Sequence, residues 1–82
     1  MSKNIYPRLG EVHNIMEILE DGQIVQLNDL SKWRIRSGDI SKTVIWYPTQ
    51  RIIVEENESD IYPYRLKNLD TFQEEEVEAT KE

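Results

Sequence analysis

A chain of 82 residues is long enough for one compact domain with a single small core, and too short for two. The absence of cysteine excludes disulfide frameworks, thiolate zinc sites, iron–sulfur clusters and cysteine nucleophiles. The net charge of −6 is unevenly distributed: residues 73–82 hold five glutamates and one lysine, residues 11–30 hold five acids and no lysine or arginine, and residues 31–54 hold five bases against one acid.

Targeting and membrane signals are weak in this sequence. No apolar run approaches the roughly 18 residues of a membrane span. The first eight residues contain no apolar stretch of the kind found in secretory signals. We therefore expect a soluble, cytoplasmic protein with no membrane partner.

The first twenty-two residues combine a weak lead-in with an ambiguous periodic segment. Residues 1–10 contain Pro7 and Gly10 and little periodicity, and they are expected to form a flexible lead-in. Apolar residues at positions 12, 15, 16 and 19 have the spacing of a helical stripe. Asp21-Gly22, however, favours a type I′ turn, which needs a strand on each side. We predict a hairpin of residues 14–20 and 23–28, with a two-turn helix over 12–19 as the alternative.

Strand patterns and turn residues then recur every eight to twelve residues. Residues 33–36 alternate apolar and basic side chains, which is typical of a strand with one solvated face. Residues 43–47 and 51–55 are β-branched and aromatic runs. These runs predict two strands that are covered on both faces or lie at a barrel corner.

The C-terminal third continues the same alternation before its composition changes. Residues 62–67 alternate tyrosine and leucine with proline and basic residues, and predict another strand. Apolar content falls sharply after Phe72. Residues 73–82 are therefore predicted to be a last strand that frays into a solvated acidic tail.

Six short strands without a convincing helix predict an all-β domain over residues 11–72. The first choice is a small SH3-like barrel of five or six antiparallel strands, and an OB-like barrel is the alternative. An SH3-like barrel leaves edge strands open, and two copies of the chain can associate through such an edge. The predicted core consists of Ile15 or Met16, Ile18, Val25, Leu27, Trp33, Ile35, Val44, Trp46, Ile53, Tyr64 and Leu66.

Catalytic chemistry has few candidate residues. His13 is the only histidine, so neither a Ser-His-Asp site nor a histidine-rich metal site can be built without it. A lone histidine among apolar neighbours is most often an ordinary surface or half-buried residue. The carboxylates between positions 55 and 60 lie around an apparent loop, where carboxylates are normally solvated. We predict no enzymatic activity, no catalytic or metal-binding residue and no cofactor.

The segment from Lys32 to Arg51 interleaves bases with Trp33, Trp46 and Tyr47. Small barrels hold single-stranded nucleic acid with this combination of aromatic faces and cations. The two tryptophans are more typical of a core, however, and a glutamate tail competes for a basic face or repels phosphate. Single-stranded nucleic-acid binding through residues 32–51 is therefore the alternative function.

Tyrosines beside prolines indicate a second kind of surface. Tyr47-Pro48 and Tyr62-Pro63-Tyr64 can line a groove for an extended or polyproline peptide. The same residues can instead mark strand starts and fill the edge of the core. We predict a non-enzymatic protein-interaction or structural module whose partner is another protein. An acidic or extended segment of that partner is expected to contact Arg34, Arg36, Tyr47, Tyr62 and Arg65.

A longer pattern resembles a group of known sequences. Asp21-Gly22, then Ser31-x-Trp33-x-Ile35, Trp46 and Tyr62-Pro63-Tyr64-Arg65-Leu66-x-Asn68-x-Asp70 are similar to small, uncharacterised bacterial β-proteins. The resemblance spans about residues 18–72, and the Tyr-Pro-Tyr-Arg-Leu stretch is its most specific part. It implies a free-standing bacterial domain and carries no activity, cofactor or partner over to any residue.

Overall fold

The computed structural model describes residues 6–82 and shows six strands in a closed antiparallel barrel. The strands are β1 (Val12–Leu19), β2 (Ile24–Leu27), β3 (Lys32–Ile35), β4 (Arg51–Glu56), β5 (Tyr64–Asn68) and β6 (Glu76–Lys81). A 3-10 turn (Ser37–Asp39) and a one-turn helix, α1 (Ile40–Thr43), follow β3, and a second 3-10 turn (Glu20–Gly22) joins β1 to β2. No helix within residues 6–82 is long and apolar enough to cross a membrane.

Two three-stranded meanders, β1-β2-β3 and β4-β5-β6, make up this barrel. Two seams join them: β1 pairs with β4, with Val12 opposite Ile53, and β3 pairs with β6, with Trp33 opposite Lys81. The prediction of an all-β, six-stranded antiparallel barrel is confirmed. Within residues 6–82 every strand has two neighbours, so the open edge through which two copies were expected to associate is not present.

The hairpin around Asp21-Gly22 is confirmed, and residues 12–19 are a strand rather than a helix. β1 pairs with β2 from Ile15 opposite Leu27 to Leu19 opposite Ile24. The register shifts between Ile15 and Glu17, so Met16 and Glu17 are both exposed and the alternation of the strand is interrupted there. Val12 and Met16, two of the four residues with helical spacing, lie on the outer face of this strand.

Gly22 is the one residue of this turn that packs tightly against α1. Its φ is +93°, and a Cβ atom there would lie 2.9 Å from the backbone N and Cα of Val44. Gly10 also has a positive φ of +80°, but a Cβ atom there would have nothing within 4 Å.

We expect Gly22→Ala to lower the free energy of unfolding by about 2–4 kcal/mol, because left-handed strain and a backbone clash act together. Gly10→Ala is the matched control, and the strain alone lowers the free energy by about 1 kcal/mol. Urea unfolding of both variants measures the difference. Equal losses would show that the contact with Val44 contributes nothing.

Residues 73–82 contain a central strand rather than a fraying acidic tail. β6 lies between β3 and β5 and buries Val77 and Ala79. The Glu82 backbone N–H still donates to the Lys32 carbonyl oxygen at 2.9 Å. The last strand predicted within residues 73–82 is therefore present and belongs to the barrel, with glutamates at its outward positions.

The N-terminal segment also belongs to the barrel as far as it is described. Of the lead-in predicted over residues 1–10, residues 1–5 lie outside the described residues. Tyr6 is buried, and its backbone N–H donates to Tyr64 Oη at 2.9 Å. Leu9 packs against the core, and the Gly10 N–H donates to the Val54 carbonyl oxygen at 3.0 Å. From Tyr6 onward, the predicted lead-in is therefore in contact with the barrel.

Residues 43–47 do not form the predicted strand. The helical path of α1 continues into Val44, whose N–H donates to the Ile40 carbonyl oxygen at 2.9 Å. Thr43 and Trp46, three residues apart, are the buried positions, and Val44 and Ile45 between them point to solvent. The β-branched residues are held in a helical turn because Thr43 and Trp46 both pack against the barrel.

The core is close to the predicted set but includes segments that the sequence did not indicate. The buried predicted residues are Ile15, Val25, Leu27, Trp33, Ile35, Trp46, Tyr64 and Leu66. Met16 and Val44 are exposed, while Ile18 and Ile53 are half-buried. β4 alternates, so its buried residues are the two neighbours of Ile53. The core residues missed by the sequence are Tyr6, Ile24, Ile52, Val54, Val77 and Ala79.

Candidate partner-binding surface

The five residues predicted to contact a partner do not form one surface. Arg34 and Arg36 project from the outer face at β3, and Arg65 projects from the outer face at β5, on either side of β6. Tyr47 precedes β4, and Tyr62 follows it in the β4–β5 loop. The length of β4, roughly 17 Å, separates the two tyrosines at opposite ends of the barrel.

Glutamates of the C-terminal segment pair with all three arginines. The closest atoms are 2.7 Å apart for Arg34–Glu82, 4.0 Å for Arg36–Glu78 and 3.5 Å for Arg65–Glu76. The acidic segment 73–82 was expected to compete with a ligand for the basic face. It is instead part of that face. The outer surface of β3, β6 and β5 is a set of alternating charges, and solvent-exposed pairs of this kind contribute little to stability.

The bases and aromatic residues of the segment 32–51 are likewise separated from one another. Trp33 and Trp46 are buried. Arg51 holds Asp70 with a bond of 2.8 Å, and this hydrogen bonding keeps the pKa of the Asp70 carboxyl below its ordinary value. Of the three aromatic residues in the segment, Tyr47 alone is exposed. The segment does not present a continuous row of aromatic faces and unpaired cations.

Among residues 6–82, five of the eight exposed large apolar side chains lie at the barrel end that carries α1, and the other three, Val12, Leu30 and Ile61, lie elsewhere. We call the group of five the apolar end surface. Its members and their exposed fractions are Met16 (45%), Val44 (50%), Ile45 (68%), Tyr47 (60%) and Phe72 (83%). Monomeric soluble proteins rarely expose large contiguous apolar patches unless the patch has a function.

The backbone beneath Val44 and Ile45 is fixed on the β1–β2 turn. Thr43 Oγ1 donates to the Gly22 carbonyl oxygen at 2.6 Å, and the Thr43 side chain is fully buried. The contact between Gly22 and Val44 continues the same packing. Val44 and Ile45 are therefore presented on a rigid turn.

Tyr47 is held by a buried amide pair. Its backbone N–H donates to Gln50 Oε1 at 3.1 Å, and the same oxygen accepts a bond of 2.9 Å from Asn68 Nδ2. The Thr49 N–H donates to the Ile15 carbonyl oxygen at 2.8 Å, which places this loop beside the bulged Met16. Tyr47 and Met16 thus lie on adjacent, hydrogen-bonded segments.

Phe72 lies in the β5–β6 loop, which is attached to Trp46. The Trp46 indole N–H donates to Glu75 Oε1 at 2.9 Å, and the Glu75 N–H donates to Thr71 Oγ1 at 2.9 Å. These two bonds join the loop that carries Phe72 to the residue between Ile45 and Tyr47. Three separate chain segments therefore contribute to the apolar end surface.

Unpaired acids lie on the same end of the barrel. Glu20 and Asp21 belong to the turn that contacts Val44, and Glu17 follows Met16. None of these three acids forms an ion pair with a base among residues 6–82. The nearby bases are paired with carboxylates: Lys42 with Asp39, Arg51 with Asp70 and Lys67 with Glu74. The charge around the apolar end surface is therefore negative.

Sequence reasoning found only Tyr47 of this surface. Val44 was assigned to the core, Met16 was an alternative core residue, and Ile45 and Phe72 were not singled out as partner contacts. The spacing of Thr43 and Trp46 is one signal for Val44 and Ile45. If two residues three apart on a helical turn are both buried, the residues between them are exposed. Phe72 is a lone aromatic residue among turn-forming and acidic residues, which is a second signal.

His13 is not the surface or half-exposed residue that the sequence favoured. It is 5% exposed, at the barrel end opposite to α1. Its Nε2 lies 3.3 Å from Tyr6 Oη and its Nδ1 lies 3.3 Å from Asn28 Oδ1. Burial raises the pKa of Tyr6 to about 12, and the hydrogen bond to Asp29 adds to this effect. His13 therefore belongs to a buried polar network.

The carboxylates of the β4–β5 loop lie around a polar groove. Glu56, Asn57, Glu58 and Arg65 line this groove, whose volume is about 420 Å³. Within residues 6–82 no three histidine, aspartate or glutamate side chains are grouped closely enough to hold a metal ion. The groove has no apolar wall comparable to the apolar end surface.

Comparisons with protein-family models, with curated proteins and with solved structures give no match for this chain. The functional argument therefore depends on the geometry of the described residues. The apolar end surface is the feature of that geometry that most resembles a binding site.

Proposed function

We propose that this protein is a non-enzymatic interaction module that binds a basic, partly apolar segment of a partner protein through the apolar end surface. One observation carries the proposal: three chain segments expose large apolar side chains together on a hydrogen-bonded backbone. Aromatic and large apolar residues on a preorganised backbone are typical of protein interfaces.

The charge at this end supports a basic partner. Glu17, Glu20 and Asp21 form no close ion pair within residues 6–82, although Glu20 interacts electrostatically with Arg34, so a partner's lysines or arginines gain an attractive field. The sequence favoured an acidic partner for the arginines of β3 and β5. Those arginines already pair with glutamates, which offsets part of the charge that would attract an acidic segment.

The side chains with catalytic potential are engaged in structural bonds. Ser31 Oγ donates to Asp29 Oδ1 at 2.6 Å and accepts a bond of 2.8 Å from the Trp33 indole N–H. Both bonds hold the β2–β3 turn against Trp33, so this hydroxyl has a structural role. This supports a binding role without chemistry.

A labelled amphipathic peptide of lysine and leucine tests the proposal by fluorescence anisotropy at low salt. We expect the protein to bind it more tightly than the matching glutamate–leucine peptide. Ile45→Asp should weaken binding about tenfold, as expected for an anchor residue of an interface. Ile61→Asp is the matched control, since Ile61 is 73% exposed and lies at the other end of the barrel, and it should bind like the wild type.

The same assay separates the proposal from its competitors. Equal weakening by Ile45→Asp and Ile61→Asp, or tighter binding of the acidic peptide, would overturn the proposed surface. A short single-stranded oligothymidylate is the probe for nucleic acid. Its salt-sensitive binding, reduced by Arg34→Ala and unchanged by Ile45→Asp, would replace the proposal with the nucleic-acid alternative.

A further inference from the structure

Tyr6 fills a pocket at the barrel end opposite to the apolar end surface. Its ring lies 4.9 Å from the Trp33 ring at 88°, and the Trp33 ring lies 5.2 Å from that of Tyr64. Edge-to-face contacts of this kind are favourable for aromatic rings. Tyr6 is only 4% exposed, although no described strand includes it.

Each polar group of Tyr6 contacts different groups of the pocket. The hydroxyl donates to Asp29 Oδ2 and lies 3.3 Å from His13 Nε2. The backbone N–H donates to Tyr64 Oη at 2.9 Å. The ring, the hydroxyl and the main chain of Tyr6 are therefore bound by groups from β1, the β2–β3 turn, β3 and β5.

The pocket is preorganised by bonds that do not involve Tyr6. Asp29 Oδ1 accepts from the Ser31 N–H at 3.0 Å and from Ser31 Oγ at 2.6 Å. Ser31 Oγ in turn accepts from the Trp33 indole, and His13 Nδ1 lies 3.3 Å from Asn28 Oδ1. A site whose polar groups are held in place before the ligand arrives binds it at a lower cost in conformational entropy.

Residues 7–11, which connect Tyr6 to β1, make few contacts with the barrel. Pro7, Arg8, Gly10 and Glu11 are exposed. Two contacts join this connection to the barrel: the bond from Gly10 N–H to the Val54 carbonyl oxygen, and the packing of Leu9 against the core. Tyr6 therefore occupies the pocket as a side chain delivered by an appended segment.

We propose that His13, Asp29, Trp33 and Tyr64 form a phenol-binding pocket and that Tyr6 is its intramolecular, exchangeable ligand. The recognised chemistry is a phenol ring with a hydroxyl that donates to Asp29. It can come from a tyrosine in an extended peptide or from a free phenol. The pocket lies at the opposite end of the barrel from the apolar end surface. The phenol-binding proposal and the partner-binding proposal can therefore be tested independently.

The test uses the full chain with Tyr6→Ala and p-cresol as the probe. We expect millimolar p-cresol to raise the thermal midpoint of this variant by about 5 °C or more. Toluene, which lacks the hydroxyl, should raise it less. If the variant is unfolded alone, recovery of the folded circular dichroism signal on adding p-cresol has the same meaning. Tyr62→Ala, which removes a half-buried tyrosine at the same barrel end, should not respond.

A peptide with the sequence of residues 5–9 distinguishes the two sources of the phenol. Greater stabilisation by the peptide than by p-cresol would assign the pocket to a tyrosine in a polypeptide, because the peptide also supplies the N–H for Tyr64. Stabilisation by p-cresol alone would assign it to a free phenol. The absence of any response from Tyr6→Ala, or equal responses to p-cresol and toluene, would overturn the proposal.

Discussion

A chain that ends at Glu75 will not fold. This truncation removes β6, so β3 and β5 each lose the neighbouring strand on one side. The core residues that pack against Val77 and Ala79 become exposed to solvent. We expect loss of the β-type circular dichroism signal and collapse of the amide proton dispersion in the nitrogen-15 correlation spectrum. A solvated tail over residues 73–82 would instead be removable without consequence. A folded truncated chain would contradict the central position of β6.

Point variants within β6 refine this expectation. Val77→Ala should lower the free energy of unfolding by about 2 kcal/mol, because Val77 is 1% exposed and its methyl groups leave a cavity. Glu78→Ala, on the outer face beside it, should leave the urea midpoint close to that of the wild type. Similar effects of the two substitutions would argue against the alternation of buried and exposed residues in this strand.

Trp33→Ala is the single substitution for which we expect the largest loss of stability, about 3–5 kcal/mol. Trp33 is fully buried and packs against the rings of Tyr6 and Tyr64. Its indole N–H also donates to Ser31 Oγ, so the substitution removes ring packing and leaves a half-buried acceptor with fewer partners. Small domains have about 5–15 kcal/mol of stability in total, so a measurable fraction of the variant will be unfolded at room temperature.

Arg34→Ala, at the next position, is the control for Trp33→Ala. Arg34 projects from the outer face and pairs with Glu82 in an exposed ion pair. Its removal should change the urea midpoint only slightly. A loss from Trp33→Ala as small as that from Arg34→Ala would contradict the burial of Trp33 in the barrel core.

Local sequence patterns were sufficient where side-chain alternation and turn chemistry agreed. The alternation of residues 33–36 and 62–67 identified β3 and β5, and Asp21-Gly22 identified the first hairpin. They failed where one local property masked another. For residues 73–82 the sequence predicted a last strand but also a fraying tail, because outward glutamates dominate the composition of β6 and Ala79 adds little apolar character to its inward face. In residues 43–47 the β-branched side chains indicated a strand, but packing of Thr43 and Trp46 imposed a helical turn.

The candidate surface was less predictable than the fold because it depends on contacts between distant segments. The sequence does not show that Arg36 and Arg65 pair with Glu78 and Glu76, because those pairs form only when β6 lies between their strands. Phe72 reaches the surface through the bond between Trp46 and Glu75, which are 29 residues apart. Exposure of Val44 follows from the packing of its neighbours and is not encoded in its own residue type.

The two seams of the barrel also determine how the chain reaches its folded state. Pairing within each meander joins strands that are close in sequence, whereas the β1–β4 and β3–β6 seams join residues such as Val12 with Ile53 and Trp33 with Lys81. Closing such long loops costs entropy before any contact across the seam is gained. We therefore expect the meanders to form early as local, unstable units and the seams to set the folding rate, in the millisecond-to-second range of domains rich in non-local pairing.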